Sequence, residues 1–287
     1  MLAAGGLWWA PAFADPDEVI SEAHTLGVKA LEIQSPDISL LEELPQLEYL
    51  TVTDVHDPAP IHRLENLRGL HVSGTWQGRI DFQRLPRLEW FSVVECPPDE
   101  GGLDSLYVGH ASIRHLAVQR YRHADLTQLR DLKLETLYIG YSRTLTSLDG
   151  VEAIGSTLWG LGLYGCSNLS TLDGISALPG LVSLELGSLR RITELDFARE
   201  LPRLRHLNAF DLANVESLGP LADHDALEFV SFGRVRDLDL EPLTRLPRLK
   251  LFLTGHYRWN RDIHSLPYAH DLPQDHPVVA EWRSLQL

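Results

Sequence analysis

Cysteine is scarce in this chain: Cys96 and Cys166 are its two thiols in 287 residues. Two cysteines cannot make the dense disulfide framework of a small secreted domain, and no C-x-x-C pair is present to seed a zinc site. Basic residues are also few. Twenty-five Lys and Arg stand against 40 Asp and Glu, a net charge of −15. A nucleic-acid or anionic-membrane surface needs clustered cations, so neither partner is expected. Acidity of this size either steers a basic partner or serves solubility alone. There is no apolar run of about 18 residues that could span a bilayer. Nucleophile-elbow, phosphate-loop and H-E-x-x-H patterns are missing too, so no catalytic residue, metal or cofactor is expected.

What is present is repetition. The pattern apolar-x-x-apolar-x-apolar occurs at Leu47/Leu50/Val52, Leu67/Leu70/Val72, Leu88/Phe91/Val93, Ile113/Leu116/Val118 and Leu134/Leu137/Ile139. It continues at Leu158/Leu161/Leu163, Leu181/Leu184/Leu186, Leu204/Leu207/Ala209, Leu227/Val230/Phe232 and Leu249/Phe252/Thr254. A weaker copy precedes them at Val28/Leu31/Ile33. The central residues are 19 apart at the closest (31 to 50) and 25 at the widest (91 to 116). An L-P-x-L element recurs at 44–47, 85–88, 178–181, 201–204 and 246–249, where proline marks a turn into the next strand.

This pattern and period resemble the leucine-rich-repeat family over about residues 26–257. The resemblance implies an α/β solenoid: a horseshoe with a parallel concave β-sheet and short helical or irregular convex segments. Each coil would supply one short strand and share its buried row with its neighbours. The family usually places Asn or Cys five residues after the central leucine. Here that column reads Val55, Thr75, Cys96, Tyr121, Ser142, Cys166, Leu189, Leu212, Val235 and Tyr257, so irregular loops are expected. The cysteines fall three coils apart, roughly 15 Å at strand spacing, which is too far to bridge and predicts two free thiols.

The flanks lack the repeat and read as an N-terminal cap over 1–26 and a C-terminal cap or tail over 258–287, around a solenoid over 27–257. Asp15 as N-cap, Pro16 in the first turn and Gly27 as terminator predict a helix before the first repeat strand. The opening MLAAGGLWWAPAFADP ends in an A-x-A-like Ala12-Phe13-Ala14. It lacks a basic n-region and is interrupted by Pro11, so it reads as part of the cap. The expected location is cytoplasmic, with a secreted recognition or adhesion protein as the alternative.

Strand alternation places the candidate site. With Leu50 and Val52 facing the core, Tyr49, Thr51 and Thr53 face the concave surface. The same register selects His71, Ser73, Trp90, Ser92, His115, Gln119, Tyr138, Tyr164, Glu185, His206, Asn208, Phe210, Phe229 and Ser231. Trp76, in the loop after its strand, would extend the patch. Aromatic residues on a solvent face suit a binding surface, although cross-strand packing is their other use. The function expected is a non-catalytic protein-binding module, one version being an inhibitor or immunity-type protein for a basic effector.

Other motifs point elsewhere only weakly. Gly160-Leu161-Gly162-Leu163-Tyr164-Gly165 spells a dinucleotide fingerprint but overlaps repeat leucines within a strand, so a flat stretch of concave face is expected instead. His264, His270, Asp271, Asp275 and His276 could ligate a metal but follow no ordered spacing, leaving a metal-dependent protein as the lesser alternative. Arg234, Arg236, Arg245, Arg248, Lys250, Arg258 and Arg261 are interspersed with acids and read as mixed surface.

Overall fold

The structure is a computed structural model that describes residues 2–254, apart from 5, 6, 11–13, 96, 98, 99, 210, 211, 213, 214, 234 and 238. Thirteen strands form one sheet in chain order. They are β1 (Leu2–Ala4), β2 (Leu7–Ala10), β3 (Ala30–Ile33), β4 (Tyr49–Val55), β5 (Gly69–Trp76), β6 (Trp90–Val93) and β7 (His115–Gln119). Next come β8 (Thr136–Gly140), β9 (Gly160–Tyr164), β10 (Ser183–Gly187), β11 (His206–Ala209), β12 (Phe229–Phe232) and β13 (Leu251–Thr254). β1 is antiparallel to β2, and the pairs from β2 onward are parallel.

One register runs through the repeat. Leu31, Leu50, Leu70, Phe91, Leu116, Leu137, Leu161, Leu184, Leu207, Val230 and Phe252 pair in succession and are buried. The L-P-x-L elements are tight turns. In each, the second leucine's N–H donates to the carbonyl of the first, as from Leu47 to Leu44 at 3.2 Å and from Leu88 to Leu85 at 3.0 Å. Proline fits the second position of such a turn because its φ is preset. Both leucines go inward and the proline stays exposed.

The convex side is built from short 3-10 turns such as Ser39–Glu43 and Asp196–Glu200, with brief helical turns at Leu103–Tyr107, Val151–Ile154 and Glu241–Thr244. The longest helix, α1 (Pro16–Leu26), lies between β2 and β3. Asp15 caps it by accepting from the Asp17 N–H at 3.0 Å, and Gly27 ends it at φ +62°. The sheet therefore begins on the N-terminal side of α1.

At the ends of six concave strands a left-handed residue turns the chain inward: Asp54, Gly74, Arg120, Tyr141, Gly165 and Ser188. The following residue fills the interior column, as with Val55, Tyr121, Ser142, Cys166 and Leu189, all buried. Ser142 shows what a polar residue does there. Its hydroxyl donates to the Tyr121 carbonyl at 2.7 Å and accepts from the Leu145 N–H at 3.0 Å. Cys166 is a free, buried thiol whose pKa burial pushes up to about 11. Cys96 and Tyr257 lie outside the described residues.

One coil departs from the expected column. Thr75 is exposed, its N–H drawn to the Asp54 carboxylate at 3.0 Å. The register slips after Thr53, and Trp76 pairs with Val55 instead. Trp76 is 5 % exposed, so it belongs to the core and not to a surface patch. The physical reason is the extra residue that follows the turn at Gly74, where φ is +70°. Trp76→Ala is expected to lower stability by about 3–5 kcal/mol, because it empties the largest ring from a packed interior. Urea unfolding measures this, and a change below about 1 kcal/mol would contradict the buried placement.

A second column lies just before the strands. Lys29, Glu48, Arg68, Glu89, Arg114, Glu135, Trp159, Val182, Arg205, Glu228 and Lys250 follow one another, each N–H donating to the carbonyl of the one before. The charges alternate, so neighbouring coils pair: Lys29 with Glu48 at 3.3 Å, Arg68 with Glu89 at 2.8 Å, and Arg205 with Glu228 at 2.9 Å. Most of these pairs are exposed and add little. Glu228 is the exception, because it is buried and is held by Arg205 on one side and by Lys250, at 2.6 Å, on the other. The Arg205 hydrogen bonds, joined by those of Lys250, lower its pKa from 4.5 to about 2. A depressed carboxylate pKa stabilises the fold fully above the unfolded value of 4.5 and loses that contribution as pH falls toward about 2. Glu228→Gln is expected to cost about 2 kcal/mol at pH 7 and to melt like the parent near pH 2. Paired thermal melts at the two pH values test this, and a constant gap would refute it.

Candidate functional site

The concave face carries the side chains that alternate with the buried leucines. Thr51, His71, Trp90, His115, Tyr138 and Tyr164 are half-buried there, and Tyr49 is 45 % exposed. They form one surface because their strands are adjacent and in register.

The rings are not freely solvated. His71 stacks on Trp90, with centroids 6.1 Å apart and an interplanar angle of 26°. Burial lowers the His71 pKa, against the opposing pull of Glu32. His115 Nδ1 meets the Thr136 hydroxyl at 2.9 Å, and the hydroxyls of Thr53 and Ser73 pair at 2.8 Å. Three tyrosines lean over a glycine of the next coil: Tyr49 registers with Gly69, Tyr138 with Gly162, and Tyr164 with Gly187. A Cβ on Gly162 would stand 2.6 Å from Tyr138 Cδ2, and one on Gly187 would stand 2.1 Å from Tyr164 Cδ2. The fingerprint-like Gly160 and Gly162 thus lie within β9, with no helix following. Gly162 is the seat of a tyrosine ring, and the flat stretch expected there is covered in part.

Burial pushes the Tyr138 hydroxyl well above its ordinary pKa, with Glu185 adding to the effect. Glu185 is itself raised by burial, which its hydrogen bond from Asn208 at 3.3 Å opposes. Between coils the face opens into a hollow of about 380 Å³, lined by Trp90, Tyr138, Trp159, Gly160, Gly162 and Glu185 among others.

The far end of the face differs from expectation. His206 is 5 % exposed, Phe229 is 2 % exposed and Ser231 is also buried. β12 is buried along both of its faces. His206 and Phe229 register on neighbouring strands, and both are withdrawn from solvent. These two side chains are packing residues rather than contact residues. Phe210 lies outside the described residues, as do Arg234, Arg258, Arg261 and the His264–His276 segment. Arg236 pairs with Glu216 and Arg245 with Asp223, in keeping with a mixed-charge surface. Among the described residues no three His, Cys, Asp or Glu side chains gather to hold a metal ion, and no helix is long and apolar enough to cross a membrane.

No protein-family profile and no curated protein sequence matches the chain. Solved structures do. Internalin InlF from Listeria monocytogenes superposes with a TM-score of 0.54 at 17 % identity, covering 86 % of this chain and 81 % of that one. The leucine-rich-repeat domain of the type III effector XopL superposes with a TM-score of 0.50 at 17 % identity, covering 83 % and 79 %. The functional domain of InlJ from Listeria monocytogenes reaches 0.50 at 15 % identity, covering 76 % of this chain and 55 % of that one. The chain has the leucine-rich-repeat fold.

Within this leucine-rich-repeat sheet, strand alternation alone misses Trp159, Val182 and Tyr141. Trp159 and Val182 occupy the column that is charged in the other coils, and the break in alternation was visible as a signal. Tyr141 is 53 % exposed at a left-handed position and meets Tyr164 edge-on at 5.2 Å. The tyrosine–glycine pairing makes a quantitative expectation. Gly162→Ala should destabilise by about 1–3 kcal/mol, since the ring must move. Most of that loss should vanish in a Tyr138→Ala background. A double-mutant cycle by chemical unfolding measures it, and strict additivity would show that the two residues do not share the space.

Proposed function

We propose that this chain is a non-catalytic module that binds another protein on its concave face, centred on β4–β9. The observation that carries this reading is the row of partly exposed rings, Tyr49, His71, Trp90, Tyr138 and Tyr164, held in register on a rigid sheet. Aromatic side chains bury much area with few rotors to freeze, which is why they anchor interfaces. The solenoid already satisfies their backbones, so the surface is preorganised and binding does not have to order it. His115 and Thr51 contribute polar contacts beside the rings.

The partner we favour presents a basic surface. Support comes from the net charge of −15 and from the concave columns themselves. Among the described residues, the positions flanking each central apolar residue hold the carboxylates Glu32 and Glu185 and no Lys or Arg. An inhibitor or immunity-type protein for a basic effector fits this charge pattern.

Capture with the purified chain, followed by titration of the captured protein, tests the assignment. Replacing Trp90 and Tyr138 together by alanine should weaken binding roughly 30-fold or more, as loss of hot-spot rings does. Equal affinity for the parent and the double variant would place the interface elsewhere.

A further inference from the structure

The pre-strand charge column is interrupted at one place. Coils from Lys29 to Glu135 alternate in sign, and Arg205, Glu228 and Lys250 resume the pattern. Alternation calls for a cation after Glu135. Trp159 stands there instead, half-buried and joined by the same backbone ladder. The flanking coils show that a charged pair fits this column, so folding does not require the ring.

Trp159 lines the concave hollow of about 380 Å³ together with Trp90 and Tyr138. Small-molecule sites run from roughly 300 to 1,000 Å³, so this hollow has the size of one compact ligand. Ala117 and Gly160 also line it, and side chains this small leave the space open. Trp90 is steadied by its stack on His71. Beside the rings are polar groups that the fold leaves unused. Ser92, Gln119 and Ser183 line the hollow and are half-buried. Among the described residues their side chains have no hydrogen-bond partner, and neither do the indole N–H groups of Trp90 and Trp159. All five groups are neutral. No Lys or Arg is among the described residues that line the hollow.

This combination has a chemical complement. The negative face of an aromatic ring attracts polarised C–H bonds. Hydroxyl, amide and indole groups suit a ligand that donates and accepts hydrogen bonds without carrying charge. A pyranose sugar has both features, a face of C–H bonds and a rim of hydroxyls. An anionic ligand would find no cation on the wall, and a purely apolar one would strand the polar groups. The strands beneath, β6–β10, are paired on both sides, so they offer no free backbone ladder to an extended peptide.

We propose that this hollow binds a short neutral oligosaccharide. One pyranose ring would lie against Trp159 beside Ser183, and another against Trp90 beside Ser92 and Gln119. The coils of the two indoles stand three apart, about 14 Å at strand spacing, so a short chain of linked rings is needed to reach both. The sugar site is independent of the protein-partner reading, because a free glycan and one carried by a protein present the same rings.

The test uses the full chain on an array of neutral and acidic oligosaccharides, each printed free and on a carrier protein, with hits titrated by calorimetry. Neutral hits are expected, and a trisaccharide should bind about 10-fold or more tightly than its monosaccharide. Trp159→Ala should weaken a neutral hit about 10-fold or more, and Gln119→Ala about 3- to 10-fold, the loss of one hydrogen bond. Gln119 is half-buried at the surface and outside the core, so its variant reads the site even if the loss of Trp159 disturbs the fold. Hits bound in both printed forms would assign recognition to the sugar alone, and hits bound only on the carrier would assign the glycan to a protein partner; both outcomes keep the site. No binding in either form, binding confined to acidic glycans, or affinity unchanged in both variants would overturn it. The protein-partner reading would survive those results, because capture with the Trp90 and Tyr138 double variant tests it separately.

Discussion

Each coil of this protein has an apolar row that it cannot bury by itself. The leucine of one strand becomes interior only when the next coil lies against it about 4.8 Å away, and so on along the chain. The continuous register from Leu31 to Phe252 is that constraint made visible. Everything at the surface inherits its position from it. Once the central residues point inward, their neighbours must point into the hollow, and the residues before them must stack into a column along the edge.

Two consequences follow for the surface. In the edge column, like charges in adjacent coils would repel, and the alternation of Lys29, Glu48, Arg68, Glu89, Arg114 and Glu135 removes that repulsion coil by coil. On the concave face, aromatic rings are wider than the strand spacing. Tyr49, Tyr138 and Tyr164 fit because the next coil offers a glycine. Such rings are held in place by the sheet yet keep an open side, which combines stability with availability for contact. At β11–β12 the next coil offers no glycine: His206 registers with Phe229, and both are buried.

The left-handed turn that ends six of the strands shows how a local residue choice decides what is core. A left-handed residue sends the next side chain inward, and the interior accepts valine, tyrosine, serine, cysteine or leucine provided that any polar group finds a backbone partner. Where an additional residue enters after Gly74, a tryptophan takes the inward place and a threonine is expelled. Of the loops expected to be irregular from the missing asparagine column, five share one left-handed turn with a variable filler, and the coil at Gly74 is irregular.

The repeat period, the inward leucines, the capped helix at Pro16–Leu26 and the parallel concave sheet were all determined by the sequence itself, because apolar spacing and turn residues act locally and recur in every coil. Most of the candidate face was legible for the same reason, since alternation along a strand is local geometry. The tertiary structure alone decided that Trp76, His206 and Phe229 are buried, that Gly162 seats Tyr138, and that Trp90, Trp159 and Glu185 line one hollow. Those outcomes depend on which side chains of separate coils share a volume, and pattern within one coil carries no information about the space left by the next.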